Sequence, residues 1–230
     1  MILGLVSRLR HTHSDRLLTL LTALLVLVIF VFAPLQAMGL FVFHAFAIGG
    51  LLAIICSALI ISSPTALVLM SIAFAANVAV FFLRLYYDWP YNLHLLAGAW
   101  LIIAVTLGTV VARAVFRSGE VTYDRIIGAI LVYILIAVAF GTLLAFIGLS
   151  IPGAFKGISF EDDRSLASEI FYLSFVTMTS TGYGDIVPVH PLARSLCNLE
   201  SIIGQLYPAT LLARLVTLEL GIGRTSKRMD

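Results

Sequence analysis

Long apolar runs alternate with short polar breaks along this chain. Six runs, 17–35, 38–62, 65–87, 93–115, 126–150 and 191–220, reach or nearly reach the ~20 apolar residues that cross ~30 Å of hydrocarbon. Each predicts a transmembrane helix. The breaks carry boundary chemistry. Pro34 ends the first run, and Ser62-Ser63-Pro64 makes a turn after the second. Tyr86, Tyr87, Trp89 and Tyr91 form an aromatic belt beyond the third, where amphipathic rings favour the headgroup level. One stretch between the fifth and sixth runs breaks the pattern. Residues 167–179 can form a short helix of about three turns, and it leads into Ser180-Thr181-Gly182-Tyr183-Gly184-Asp185. Gly182 and Gly184 flank Tyr183 and can adopt φ > 0, so the carbonyls of Ser180 to Tyr183 can point the same way. Irregular backbone at membrane depth is tolerated only where protein buries it or where it lines a water-filled path. A row of carbonyls there makes a cation site.

Composition agrees with a membrane protein. Of 230 residues, 61% are hydrophobic and only 11% are charged. A net charge of +2 without a basic cluster argues against nucleic acid. Cys56 and Cys197 both fall in apolar runs, form no disulfide framework or metal spacing, and read as small buried hydrophobes. His11 and His13 read as solvated polar residues rather than a metal pair. No nucleophile constellation, ligand spacing or phosphate loop occurs, so neither an enzyme nor an organic cofactor is expected. The first nine residues are too short for a cleavable signal, and no small-residue cleavage site follows Arg16. Lys and Arg set the orientation. With the N-terminus in the cytoplasm, that side holds Arg8, Arg10, Arg16, Arg113, Arg117, Arg125, Arg214, Arg224, Lys227 and Arg228, against Arg84, Lys156, Arg164 and Arg194 outside. Both termini are therefore expected to be cytoplasmic. Residues 151–165 become an extracellular turret whose Glu161, Asp162 and Asp163 either concentrate cations or form a solvated loop.

The run Thr177-Met178-Thr179-Ser180-Thr181-Gly182-Tyr183-Gly184-Asp185, set between two spans, resembles the selectivity filter of tetrameric potassium channels, the voltage-gated branch most of all. The resemblance implies an all-α membrane protein with six transmembrane helices, a re-entrant pore helix and a filter loop per subunit. It implies a homotetramer, since one chain supplies one filter strand, with membrane lipid around it. The permeant K+ would bind the carbonyls of Ser180, Thr181, Gly182 and Tyr183, with Gly184 completing the filter, and the Ser180 hydroxyl. Ser180 stands where the family usually has threonine, so the innermost site is expected to be looser. Thr181 takes a place often held by valine. Asp185 matches the outer acid of the family's filter, but Val176 stands where that family sometimes carries its polar partner. Thr177 and Thr179 support the filter from the helix end, and Phe171, Tyr172 and Phe175 are expected to form an aromatic cuff around Tyr183. The helix also aims its negative end at the cavity below.

The resemblance covers about residues 120–221, the expected pore domain, and fails on 17–116. A voltage sensor needs several arginines in the fourth span, and 93–112 contains no Arg or Lys. Weak sensor-type voltage dependence follows. Asn77, His44 and His94 are the polar candidates in the first four spans, read mainly as structural. Residues 1–16 form a cytoplasmic segment, and the tail 222–230 is too short for a ligand-binding domain, so a soluble regulator would be a separate chain or a segment beyond this sequence. Gly128 and Gly141 permit close helix approach. Gly204 lies twenty residues after Gly184, the family's hinge spacing, and Pro208 follows four residues later; the two are gating candidates. Glu200, ionisable inside a span, is a third. It either lines the cavity or bonds Ser174, Thr177 or Thr179 behind the filter, and the second is favoured. A desolvated carboxylate tends to take up a proton, so gating is expected to sense pH. The rival readings are a weakly selective cation channel and a non-conducting subunit or transporter component. A transporter would show paired broken helices, and one broken element occurs here.

Overall fold

The computed structural model describes residues 19–39, 64–86, 91–116, 123–161 and 165–226. Nearly all of the second predicted run, with His44 and Cys56, lies outside these residues. So do 1–18, Tyr87, Trp89, Arg117, Asp162, Asp163, Arg164 and 227–230.

Six helices are described. They are α1 (Thr19–Ala37), α2 (Pro64–Tyr86), α3 (Asn92–Val115), α4 (Tyr123–Ser150), α5 (Leu166–Met178) and α6 (Pro191–Ser226). Among the described residues, Thr19–Ala37, Asn92–Arg113 and Arg125–Ser150 are long and apolar enough to cross a membrane. They coincide with the first, fourth and fifth predicted runs. α2 and α6 follow the third and sixth. At 36 residues, α6 is ~54 Å long and continues past residue 220, where the apolar pattern ends.

α1 widens into a π-helical turn at Val28–Phe32, closed by the Ala33 N–H on the Val28 carbonyl. Pro34 supplies the cause: it lacks an N–H, and its ring would crowd the carbonyl four residues back. The helix ends at Gly39, whose φ of 75° lets its N–H turn back to the Gln36 carbonyl at 3.0 Å.

The core lies between α3 and α4. Trp100, Ile103, Leu107 and Val111 form one helical stripe and bury against Leu131, Leu135 and Val138. α2 joins through Met70 and Ala73. Asn77 is buried on α2, and its Nδ2 donates to the Ala73 carbonyl at 3.0 Å. His94 sits between the rings of Tyr91 and Phe146. Both thus have local structural partners.

α5 packs between α4 and α6. The approach to α4 is close because Gly141 has no side chain: a Cβ there would meet Ser174, Ile170 and Phe171 at 3.4–3.6 Å. The turret is not a plain loop, and the fold is not wholly helical. β1 (Phe155–Lys156) pairs antiparallel with β2 (Val187–Pro188), and the Val189 and His190 N–H groups both reach the Ala154 carbonyl. This clip holds the chain that leaves Asp185. Gly157 lets it close, since a Cβ there would fall on the Asp185 carbonyl oxygen. Arg113, Arg125 and Arg214 gather at the opposite end of the bundle. There the Arg214 guanidinium donates to the Phe116 carbonyl at 2.9 Å and lies over its ring.

Candidate functional site

The site begins where α5 stops. Thr179 keeps helical angles, and its N–H still reaches the Phe175 carbonyl. Ser180 then turns to φ 56°, Gly182 to 52° and Gly184 to 82°. Among the described residues Ser180 is the only non-glycine at positive φ, so Thr181 and Tyr183 are negative and the sign alternates. Alternation turns successive peptide planes the same way, with N–H groups on one side and carbonyls on the other. The N–H groups of Thr181 and Gly182 accordingly converge on the Val176 carbonyl at 2.9 and 3.1 Å. None of the carbonyls from Ser180 to Gly184 accepts a hydrogen bond among the described residues.

The left-handed angle at Ser180 costs a residue with a Cβ roughly 1–2 kcal/mol, and three contacts hold it there. Its N–H donates to the Thr177 carbonyl at 3.0 Å. Its hydroxyl lies 2.9 Å from Ser201 Oγ and accepts from Gln205 Nε2 at 3.1 Å. Sequence reasoning passed over Ser201 and Gln205. They are polar and one turn apart on α6, but nothing in the sequence alone sets them against Ser180. Thr179 Oγ1 donates to the Phe175 carbonyl and lies 2.9 Å from Thr181 Oγ1. Thr177 reaches the buried thiol of Cys197.

Of the three aromatic residues expected around Tyr183, the structure brings one. The Tyr172 ring stacks parallel on Tyr183, 6.2 Å between centroids and 4° between planes. Phe175 packs on Phe30 of α1 at 5.0 Å, and Phe171 meets Trp100 of α3 edge-on. Both point away because α5 has other neighbours on those faces. Tyr172 also supplies the partner that Val176 cannot: its hydroxyl donates to Asp185 Oδ2 at 2.7 Å. That bond holds the Asp185 carboxyl below the usual carboxylate range and pushes the Tyr172 phenol up to about 12.

Behind this strand, Glu200 is fully buried and meets Ser174 Oγ at 2.5 Å. It is closed off from the surface of the single chain, and of Ser174, Thr177 and Thr179 it bonds the first. Gly204, one turn on, abuts the end of α5, and a Cβ there would fall on the Met178 carbonyl oxygen. Pro208 lies within α6 and lacks the N–H that would bond the Gly204 carbonyl four residues back. The Tyr207 hydroxyl beside it donates to the Ala129 carbonyl of α4 at 2.8 Å.

A family model described as "Ion channel" matches residues 129–219, from α4 through the site to α6. Protein LctB of Bacillus caldotenax is 36% identical over 56 residues, 24% of this chain and 41% of that protein. The chain thus spans about two fifths of the length of this relative. No solved structure matches the chain. The family match supports an ion channel, and the apolar helices agree with a membrane protein.

Proposed function

We propose that this chain is one subunit of a potassium channel, in which four copies set their Ser180–Gly184 strands around one axis. The carrying observation is the alternation of φ sign from Ser180 to Gly184, with carbonyls that accept no hydrogen bond. Such oxygens can replace the hydration shell of a cation. One strand cannot surround an ion, and Tyr183 is 72% exposed in a single chain, which supports further copies at this surface. K+ binds at Ser180, Thr181, Gly182 and Tyr183, and leaves by repulsion between neighbouring sites. Six spans, both termini in the cytoplasm and the Asp185 end outside complete the reading, on the strength of the Lys and Arg distribution. Gly204, Pro208 and Glu200 are its gating elements.

A weakly selective cation pore is the second reading. Its support is the Ser180 hydroxyl, which already accepts from Gln205 and so has less capacity for an ion. Current across a planar bilayer holding the purified protein, with potassium on one side and sodium on the other, separates the two. A reversal potential near the potassium limit is expected. A reversal near zero favours the weakly selective pore, and silence under all stimuli favours a non-conducting subunit.

A further inference from the structure

Ser174 is fully buried on α5, between α4 and α6. Its Oγ lies 2.7 Å from the Ala137 carbonyl oxygen of α4 and 2.5 Å from Glu200 Oε1 of α6. Both are hydrogen-bond distances, and the shorter suits an acid or a carboxylate equally. The number of protons decides between them. A hydroxyl carries one proton, a carbonyl none, and an ionised carboxylate none. With Glu200 ionised, Ser174 could satisfy one of its two neighbours, and lone pairs would face each other at the second. A further proton is required, and the Glu200 carboxyl is the group that can carry it.

The surroundings point the same way. Glu200 Oε2 is buried with no hydrogen-bond partner, a costly position for one end of a charged group. No cation among the described residues pairs with Glu200. The titratable groups near enough to feel a charge there are Tyr133 from α4 and Cys197 on α6 itself, both ordinarily uncharged at neutral pH. α5 contributes Ser174 alone to its hydrogen bonding.

We propose that Glu200 is a neutral carboxylic acid that donates to Ser174 Oγ, while Ser174 donates to the Ala137 carbonyl. This chain of two bonds ties α6, the filter-bearing α5 and α4 at one point. Glu200 is then a positioning residue: buried behind the strand, it registers α6 against the helix that leads into the proposed filter. The assignment stands whether or not the pore selects potassium.

Infrared difference spectra of the purified protein in lipid at neutral pH, wild type minus Glu200→Gln, test it without a current. The carbonyl stretch of a protonated carboxylic acid is expected in the wild type and absent from the variant. Ser174→Ala, with Glu200 kept, is expected to shift that band as its hydrogen bond is lost. A difference spectrum that contains carboxylate bands alone overturns the proposal, and so does an acid band that Ser174→Ala leaves unmoved. Conservative rescue is the second readout. Glu200→Gln can still donate to Ser174 through its amide and is expected to keep the wild-type conductance, while Glu200→Leu loses it. Equal loss in both variants would overturn the donor role.

Discussion

At the residue scale, the outer and inner ends of the proposed filter strand are held by different chemistry. Tyr172 and Asp185 share an exposed bond, and its pH window follows from the two shifts. Asp185 is held low, so its contribution is present above the ordinary carboxylate value of about 4 and is lost as pH falls through the depressed value. Tyr172 is pushed up to about 12, so its contribution is present below the ordinary phenol value of about 10 and is lost as pH rises through about 12. Filter stability, read as the decay of current during long openings, is expected to be flat between these limits. Tyr172→Phe should hasten the decay several-fold at neutral pH and abolish its acid dependence. The inner end depends on Gln205. Gln205→Leu frees a lone pair of Ser180, and block by internal barium should tighten several-fold, on the scale of one hydrogen bond worth about 1 kcal/mol. Asp185 and Ser180 were legible as filter ends from the motif. Their partners were not, because a hydrogen bond across 13 or 25 residues has no sequence period.

On the proposed function, the element that matters most for opening is α6. Gly204 and Pro208 looked like two separate weak points in the sequence, and the helix makes them one. Pro208 removes the bond that the Gly204 carbonyl would accept, and Gly204 lets that same turn lie on the end of α5. A turn of α6 short of one backbone hydrogen bond therefore sits against the backbone that leads into the proposed filter. Gly204→Ala drives a methyl into the Met178 carbonyl, and overpacking of this kind costs about 1–3 kcal/mol. Thermal unfolding in detergent should fall accordingly, and the open probability in single-channel records should change with it. The helices themselves were readable. A run of apolar residues long enough for the bilayer has few alternatives to a helix, and α1, α3 and α4 lie where such runs predict them. The π turn in α1 and the clip between β1 and β2 were not readable. The first arises from ring crowding at Pro34, and the second pairs residues about thirty positions apart.

For the whole molecule, the candidate site stands against a bundle in which, among the described residues, α3 carries no row of arginines. α3 carries Arg113 in its last turn and no other Arg or Lys. Each charge moved across the field is worth about 2.3 kcal/mol per 100 mV, so a span without mobile charges cannot make opening steep in voltage. Conductance measured over a range of holding potentials is expected to vary weakly, and a steep activation curve would show that another charged segment moves. α3 has a different role in the described fold: its Trp100 stripe buries against α4, and Trp100 itself meets Phe171 of α5. The bundle thus braces the outer side of the pore helix.

The amino-acid sequence by itself determined the membrane solvent, the positions of α1, α3 and α4 and the special backbone between α5 and α6. Each of these depends on hydrophobic length or on glycine, and both are local. Only the tertiary structure decided which polar side chains meet: Tyr172 with Asp185, Gln205 and Ser201 with Ser180, and Glu200 with Ser174. The last pair shows the reason most directly. A glutamate within a span is a charge in the sequence. It becomes a candidate hydrogen-bond donor only when folding sets a buried hydroxyl between it and a carbonyl, with one proton too few for both.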